Sequence, residues 1–124
     1  MAIHVTKIKP EFTDERGYIS RIVDQEKIKI RSVLEITGRP GSVRGNHYHK
    51  KSTQYSYVLG GKIELTIKKI NEKKIRKIIL KEGDLTTIPR NMIHTYRALE
   101  NSSMLDLTTY ARGIKGYETD TVRV

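Results

Sequence analysis

Gly41-Ser42-Val43-Arg44-Gly45-Asn46-His47-Tyr48-His49-Lys50-Lys51-Ser52-Thr53-Gln54 is the stretch that decides the reading of this chain. On a β-strand, residues i and i+2 project to one face, so His47 and His49 converge on a single ion or a single substrate. Gln54 follows closely, and Gly61 ends the run. A second run, Gly83-Asp84-Leu85-Thr86-Thr87-Ile88-Pro89-Arg90-Asn91-Met92-Ile93-His94, brings in a third imidazole.

The surrounding sequence reads as strand. Residues 27–37 alternate, with Ile28, Ile30, Leu34 and Ile36 on one face. That period of two marks a half-buried strand. Ile63, Leu65 and Ile67 repeat it after Gly60-Gly61, and Ile78 and Leu80 follow a hairpin at Asn71-Glu72. Further strand-like runs cover residues 17–24, 52–59, 93–99 and 103–110, with turn residues between them and no convincing helical period. Many short strands with regular turns predict an all-β sandwich or barrel, and a jelly roll suits this number of strands.

At 124 residues the chain is long enough for one domain, residues 1–124, with a sizeable core. No apolar run approaches a membrane span. The first residues enter a strand-like pattern without a secretory signal, which predicts a cytoplasmic protein. Without cysteine there is neither a disulfide framework nor a thiolate metal site, so any metal must be held by nitrogen and oxygen.

The formal charge of +10 raises the question of nucleic acid. Much of the excess lies in residues 68–77, read as a hairpin whose lysines keep strand edges from aggregating. Aromatic residues suited to base stacking do not interleave with it, so no nucleic-acid partner is expected. A basic surface also suits a small diphosphate-bearing substrate.

The two glycine-framed runs resemble the two motifs of the cupin superfamily. The first fits over Gly41, His47, His49, Gln54 and Gly61, and the second over Gly83, Pro89, Asn91 and His94. Gln54 stands where the family usually has Glu, and Asn91 where it usually has Gly. The resemblance implies a jelly-roll barrel, the double-stranded β-helix, with the three histidines in its mouth. Three imidazoles and one oxygen suit a divalent Zn, Ni, Mn, Fe or Cu ion held by His47, His49, Gln54 and His94. Alternatively, the histidines are acid–base groups in a metal-free pocket with Gln54 orienting one ring, or they form a structural polar pocket. His4 falls outside both motifs and is expected at the surface.

Two further segments resemble nucleotide-sugar cupins. Phe12-Thr13-Asp14-Glu15-Arg16-Gly17 is similar to the opening signature of the dTDP-4-dehydrorhamnose 3,5-epimerases. Arg44-Gly45-Asn46-His47-Tyr48-His49 is similar to the segment in which the dTDP-4-keto-6-deoxyhexose 3,4-ketoisomerases carry two proton-transferring histidines without requiring a metal. Some capsular-sugar enzymes carry C-terminal cupin domains that share the histidine pattern, there joined to metal binding. The likeness implies His47 as general base beside a sugar ketone, His49 as its acid/base partner, and Arg16 and Arg44 as diphosphate contacts. Arg44 is out of strand phase with His47 and faces away from the pocket unless Gly45 resets the strand. Tyr96, in phase with His94, is either a phenolic acid at the substrate or a packed wall.

The leading expectation is therefore an isomerase or epimerase of a nucleotide-linked 4-keto-sugar such as a dTDP-sugar. The alternative is a small metal-binding cupin, an oxygen-using enzyme or a sugar- or ligand-binding module. Small cupins also imply a homodimer, paired through sheets or through exchange of the segment Ile3-His4-Val5-Thr6-Lys7-Ile8.

Overall fold

A computed structural model of the chain describes residues 3–111, 113 and 119–124. Twelve strands are described: β1 (His4–Lys7), β2 (Phe12–Asp14), β3 (Gly17–Ile19), β4 (Ser32–Gly38), β5 (Val43–His49), β6 (Gln54–Gly60), β7 (Lys62–Lys69), β8 (Arg76–Lys81), β9 (Asp84–Ile88), β10 (Met92–Ala98), β11 (Ser102–Thr108) and β12 (Thr121–Arg123). Two five-stranded sheets, β1-β9-β6-β11-β4 and β12-β5-β10-β7-β8, hold most of them. All their pairings are antiparallel, and β2 and β3 form a separate two-stranded ribbon. The architecture is the all-β jelly roll that the glycine-framed motifs imply. No helix of the described residues is long and apolar enough to cross a membrane.

Period-two patterning builds the core. On β7, Ile63, Leu65 and Ile67 are buried while the intervening side chains are partly exposed. They meet Val58, Leu80, Ile88, Met92, Tyr96 and Met104 in one apolar cluster between the sheets. Leu34 and Ile36 of β4 also turn inward but line a cavity, because polar side chains occupy that end of the interior.

Three strand expectations change in extent. The strand read over residues 27–37 begins at Ser32. Ile28 and Ile30 still alternate in burial with exposed Lys27, Lys29 and Arg31. However, β4 runs against β11, whose last ladder pair is Thr108↔Ser32, so the residues before it have no strand to continue the ladder. The run at 17–24 shortens to β3. The N-terminal segment, a candidate for exchange, pairs within its own chain as β1 on β9, His4 opposite Thr87. His4 is exposed, as its position outside the motifs suggested.

Candidate active site

The site grows from an irregularity between β5 and β10. His47 lies opposite His94, and Gly45 opposite Thr95, so Asn46 is an extra residue on β5. This β-bulge reaches its conformation through Gly45 at φ 99° and Asn46 at φ 59°. Asn tolerates the left-handed region better than most residues. A Cβ on Gly45 would sit 2.7 Å from the His94 carbonyl oxygen. The C-terminal end ties the bulge down: the Asn46 side-chain amide donates to the Val124 carbonyl at 2.8 Å, and Val124 N–H donates to Asn46 O at 3.1 Å.

A bulge inserts one residue and so shifts strand phase by one. Arg44 is consequently opposite Tyr96, on the face that carries His94 and His47. The reset that the sequence left conditional on Gly45 takes place. Arg44 lines the same cavity as the histidines, its guanidinium donating to the Thr37 carbonyl at 3.1 and 3.3 Å.

The cavity has a volume of about 500 Å³, and His47, His49, Gln54, His94 and Tyr96 are among its lining residues. Ring centroids lie 5.0 Å apart for His47 and His49, 4.7 Å for His47 and His94, and 5.3 Å for His49 and His94. One ligand atom from each falls within 4.8 Å of the others.

The histidines are wired differently. His94 Nδ1–H donates to the Met92 carbonyl at 3.0 Å, which leaves Nε2 as a lone pair. That atom is buried and has no hydrogen-bond partner among the described residues. Burial first, and the neighbouring charge of His47 second, push its pKa down to about 3, so the ring stays neutral. His49 Nδ1 stands 3.2 Å from the Asp120 carboxylate and 3.2 Å from Thr121 Oγ1, while Nε2 meets Gln54 Oε1 at 3.2 Å. Both nitrogens thus face acceptors, an arrangement suited to a ring with a proton on each. Asp120 is buried, and its other oxygen accepts the backbone N–H groups of Lys51 and Ser52.

Gln54 is pinned at its other end. Its amide nitrogen donates to Asp106 Oδ2 at 3.0 Å, with Tyr96 Oη at 3.1 Å and Ser56 Oγ at 3.2 Å. The Tyr96 hydroxyl is 2.7 Å from Ser56 Oγ, which donates to Asp106 Oδ1 at 2.8 Å. Tyr96 is thus a buried wall whose phenol is engaged inside the protein.

A divalent ion fits this set only in part. His94 Nε2 offers a lone pair without a competitor. The Gln54 oxygen, by contrast, is engaged by His49, and His49 has no ring nitrogen that faces away from an acceptor. As arranged, the donor set suits proton exchange.

Arg16 stands apart. It lies at the tip of the β2–β3 ribbon, highly exposed, with a two-point contact to Asp14. Within the chain it does not join the cavity lining.

The profile of the polysaccharide biosynthesis C-terminal domain family matches residues 12–121. The chain belongs to that family. No curated protein matches it. Among solved structures it is similar to a 3,4-ketoisomerase from Helicobacter canadensis, with a TM-score of 0.83 and 20% identity over 100% of this chain and 92% of the other. A sugar 3,4-ketoisomerase from Thermoanaerobacterium thermosaccharolyticum in complex with TDP gives 0.80 and 24% over 98% and 88%. A dTDP-4-dehydrorhamnose 3,5-epimerase from Sulfolobus tokodaii gives 0.78 and 21% over 98% and 76%.

Within this family domain, Asp106 and Asp120 are the site residues that the sequence reading passed over. Asp106 carried a usable signal: on β11 it shares the inward face with Met104 and Thr108, and an acidic residue on a buried face is uncommon. Asp120 had none, because it precedes a three-residue strand and meets His49 only through the pairing of β12 with β5.

Proposed function

We propose that this protein is an isomerase or epimerase of a nucleotide-linked 4-keto-sugar, a dTDP-sugar being the leading candidate. The observation that carries this reading is the pair His47 and His49, rings 5.0 Å apart in a 500 Å³ cavity, with His49 backed by the Asp120 carboxylate. The structural relatives named above, two of them ketoisomerases and one an epimerase, support it.

In this mechanism His47 removes the proton from the carbon beside the ketone. The C–H electron pair forms the enediolate double bond, and the carbonyl pair moves onto oxygen. Imidazole titrates near neutrality and suits this task. With both ring nitrogens engaged by protein acceptors, a protonated His49 stabilises the developing oxyanion through its positive charge, which Asp120 supports in turn. Protonation of the same carbon from the opposite face gives epimerisation; protonation of the former carbonyl carbon, with loss of the hydroxyl proton from its neighbour, gives ketone transposition. Arg44 serves the diphosphate, since a guanidinium matches phosphate oxygens in a fork. Arg16, exposed at the tip of its ribbon, serves it from a second copy of the chain in a homodimer. The absence of cysteine suits a cytoplasmic setting.

The test is incubation with dTDP-4-keto-6-deoxyglucose in deuterated water. Deuterium should enter the ring beside the ketone, and sedimentation should give a dimer. No ring deuterium, with no dTDP binding up to millimolar concentration, overturns the reading.

A second reading, a divalent transition metal held by His47, His49 and His94, is favoured by the partnerless His94 Nε2. Elemental analysis after mild purification, beside thermal melts with and without dTDP, separates the two. Stoichiometric metal without nucleotide stabilisation favours the metal.

A further inference from the structure

Asp106 is buried at the wall of the same cavity, and proton transfer as proposed makes no use of it. It sits on the interior strand β11, opposite Leu34 on β4 and Ser56 on β6, facing inward. Through Ser56, Gln54 and Tyr96 its hydrogen bonds reach from this sheet to β10 of the other.

The direction of every bond in this group follows from one acceptor. A carboxylate only accepts, so Ser56 must donate its hydroxyl proton to Asp106 Oδ1. Ser56 Oγ is then left to accept from Tyr96, whose phenol keeps its proton because burial, and next the Asp106 charge, raise its pKa well above the ordinary value. Gln54 must in turn present N–H to Asp106 Oδ2, since the reversed amide would set its oxygen 3.0 Å from a carboxylate oxygen. Two like partial charges at that distance in a buried site repel strongly. With the nitrogen end fixed, Gln54 Oε1 faces His49 Nε2 and accepts.

We propose that Asp106 is a positioning residue for the reaction: by fixing which end of the Gln54 amide faces His49, it keeps a proton on His49 Nε2. His49 is thereby kept as the charged partner of the oxyanion, and His47 is left as the base. The assignment of roles rests on the isomerase reading; the hydrogen-bond polarity does not.

The polarity can be read without substrate from the ring-nitrogen shifts of His49 in a long-range 1H–15N spectrum of the purified full chain at a single pH. In the wild type Nε2 should give a protonated-type shift. Asp106→Asn supplies an N–H that can receive the reversed Gln54 oxygen, so the Gln54 amide nitrogen turns to His49 and Nε2 becomes a bare acceptor. With dTDP-4-keto-6-deoxyglucose, kcat should fall about 10²-fold, while KM changes no more than about twofold, as befits a group acting on the chemical step. The double variant Gln54→Glu with Asp106→Asn again places an acceptor oxygen toward His49, with the same total charge. It should restore the protonated shift and most of kcat.

A purely structural role for Asp106 would lower the melting temperature in both variants, with no shift change and no rescue. If Asp106→Asn does not fold, Gln54→Met carries the test, since it removes the acceptor and should bare Nε2. A protonated Nε2 persisting in Asp106→Asn, or in Gln54→Met, overturns the proposal. So does a double variant that fails to recover. Absence of turnover in the wild type, with the shifts behaving as stated, overturns the isomerase reading and leaves the polarity intact.

Discussion

Two segments of this chain carry recognisable short motifs and fare differently on folding. Around His47 the chain is held from several sides: β5 lies between β10 and β12, its bulge is tied to Val124, and its side chains meet Gln54, His94 and Asp120. Around Arg16 the chain is a ribbon of two three-residue strands on which Phe12, Tyr18 and Ile19 are all exposed. A lone two-stranded hairpin is marginal in water, and exposed apolar residues grouped on one element mark a contact surface. One region is preorganised by its own chain. The other leaves apolar side chains exposed, which is why a second copy figures in the proposed function.

The strongest way to break this contrast is to remove the base. His47→Ala should lower ring-deuterium incorporation by about 10²- to 10⁴-fold, with the circular dichroism of the wild type retained. Activity surviving in that variant would move the catalytic region elsewhere.

Acid should act on the cavity next. The unfolded chain protonates a histidine near pH 6.5, whereas buried His94 waits until about 3. Its contribution to stability is therefore complete above pH 6.5 and is lost as pH falls from there towards 3. The slope is roughly 1.4 kcal/mol per pH unit, or about 3 kcal/mol between pH 6.5 and 4. In chemical denaturation, His94→Gln should weaken the acid dependence by about that amount. Parallel profiles would show that His94 is not held neutral.

Two glycines sharpen the comparison at smaller cost. Gly45→Ala forces a side chain into a positive-φ position and against the His94 carbonyl. It should destabilise the protein by about 1–3 kcal/mol and weaken dTDP binding, because Arg44 loses its phase. Gly17 also has positive φ, at 134°, but nothing lies within 4 Å of its added Cβ. Gly17→Ala should leave the global denaturation midpoint where it was. A midpoint loss at Gly17 to match that at Gly45 would show the ribbon to be part of the cooperative unit.

Arg16→Ala should have the least effect on the isolated chain. The Asp14 pair is exposed, and such pairs contribute little. The melting temperature should stay unchanged while dTDP affinity falls. An unchanged affinity in calorimetry would remove Arg16 from the binding surface.

Much of the site was legible because its elements speak in local patterns. Alternation in β4 and β7 and the phase of Tyr96 with His94 on β10 marked what faces inward, and the i, i+2 spacing set His47 beside His49. The turn residue Asn91 reaches φ 63° just before β10, as a glycine at that motif position would. The ladder limits of β4 and β3 were not legible, since alternation reports only an extended chain and hydrogen bonding needs a neighbour.

The sequence by itself thus determined the all-β class, the inward faces of β4 and β7 and the pairing of His47 with His49, consequences of backbone period and turn chemistry within a few residues. That His94 joins them was implied by the resemblance to the cupin motifs. Only the tertiary structure decided whether Arg44 joins them, because a bulge shows itself in the pairing of two strands. It alone decided that Asp120 backs His49 and that Asp106 orients Gln54. Those contacts span dozens of residues of chain, and a carboxylate's influence on a proton depends on distance in space, which no local pattern encodes.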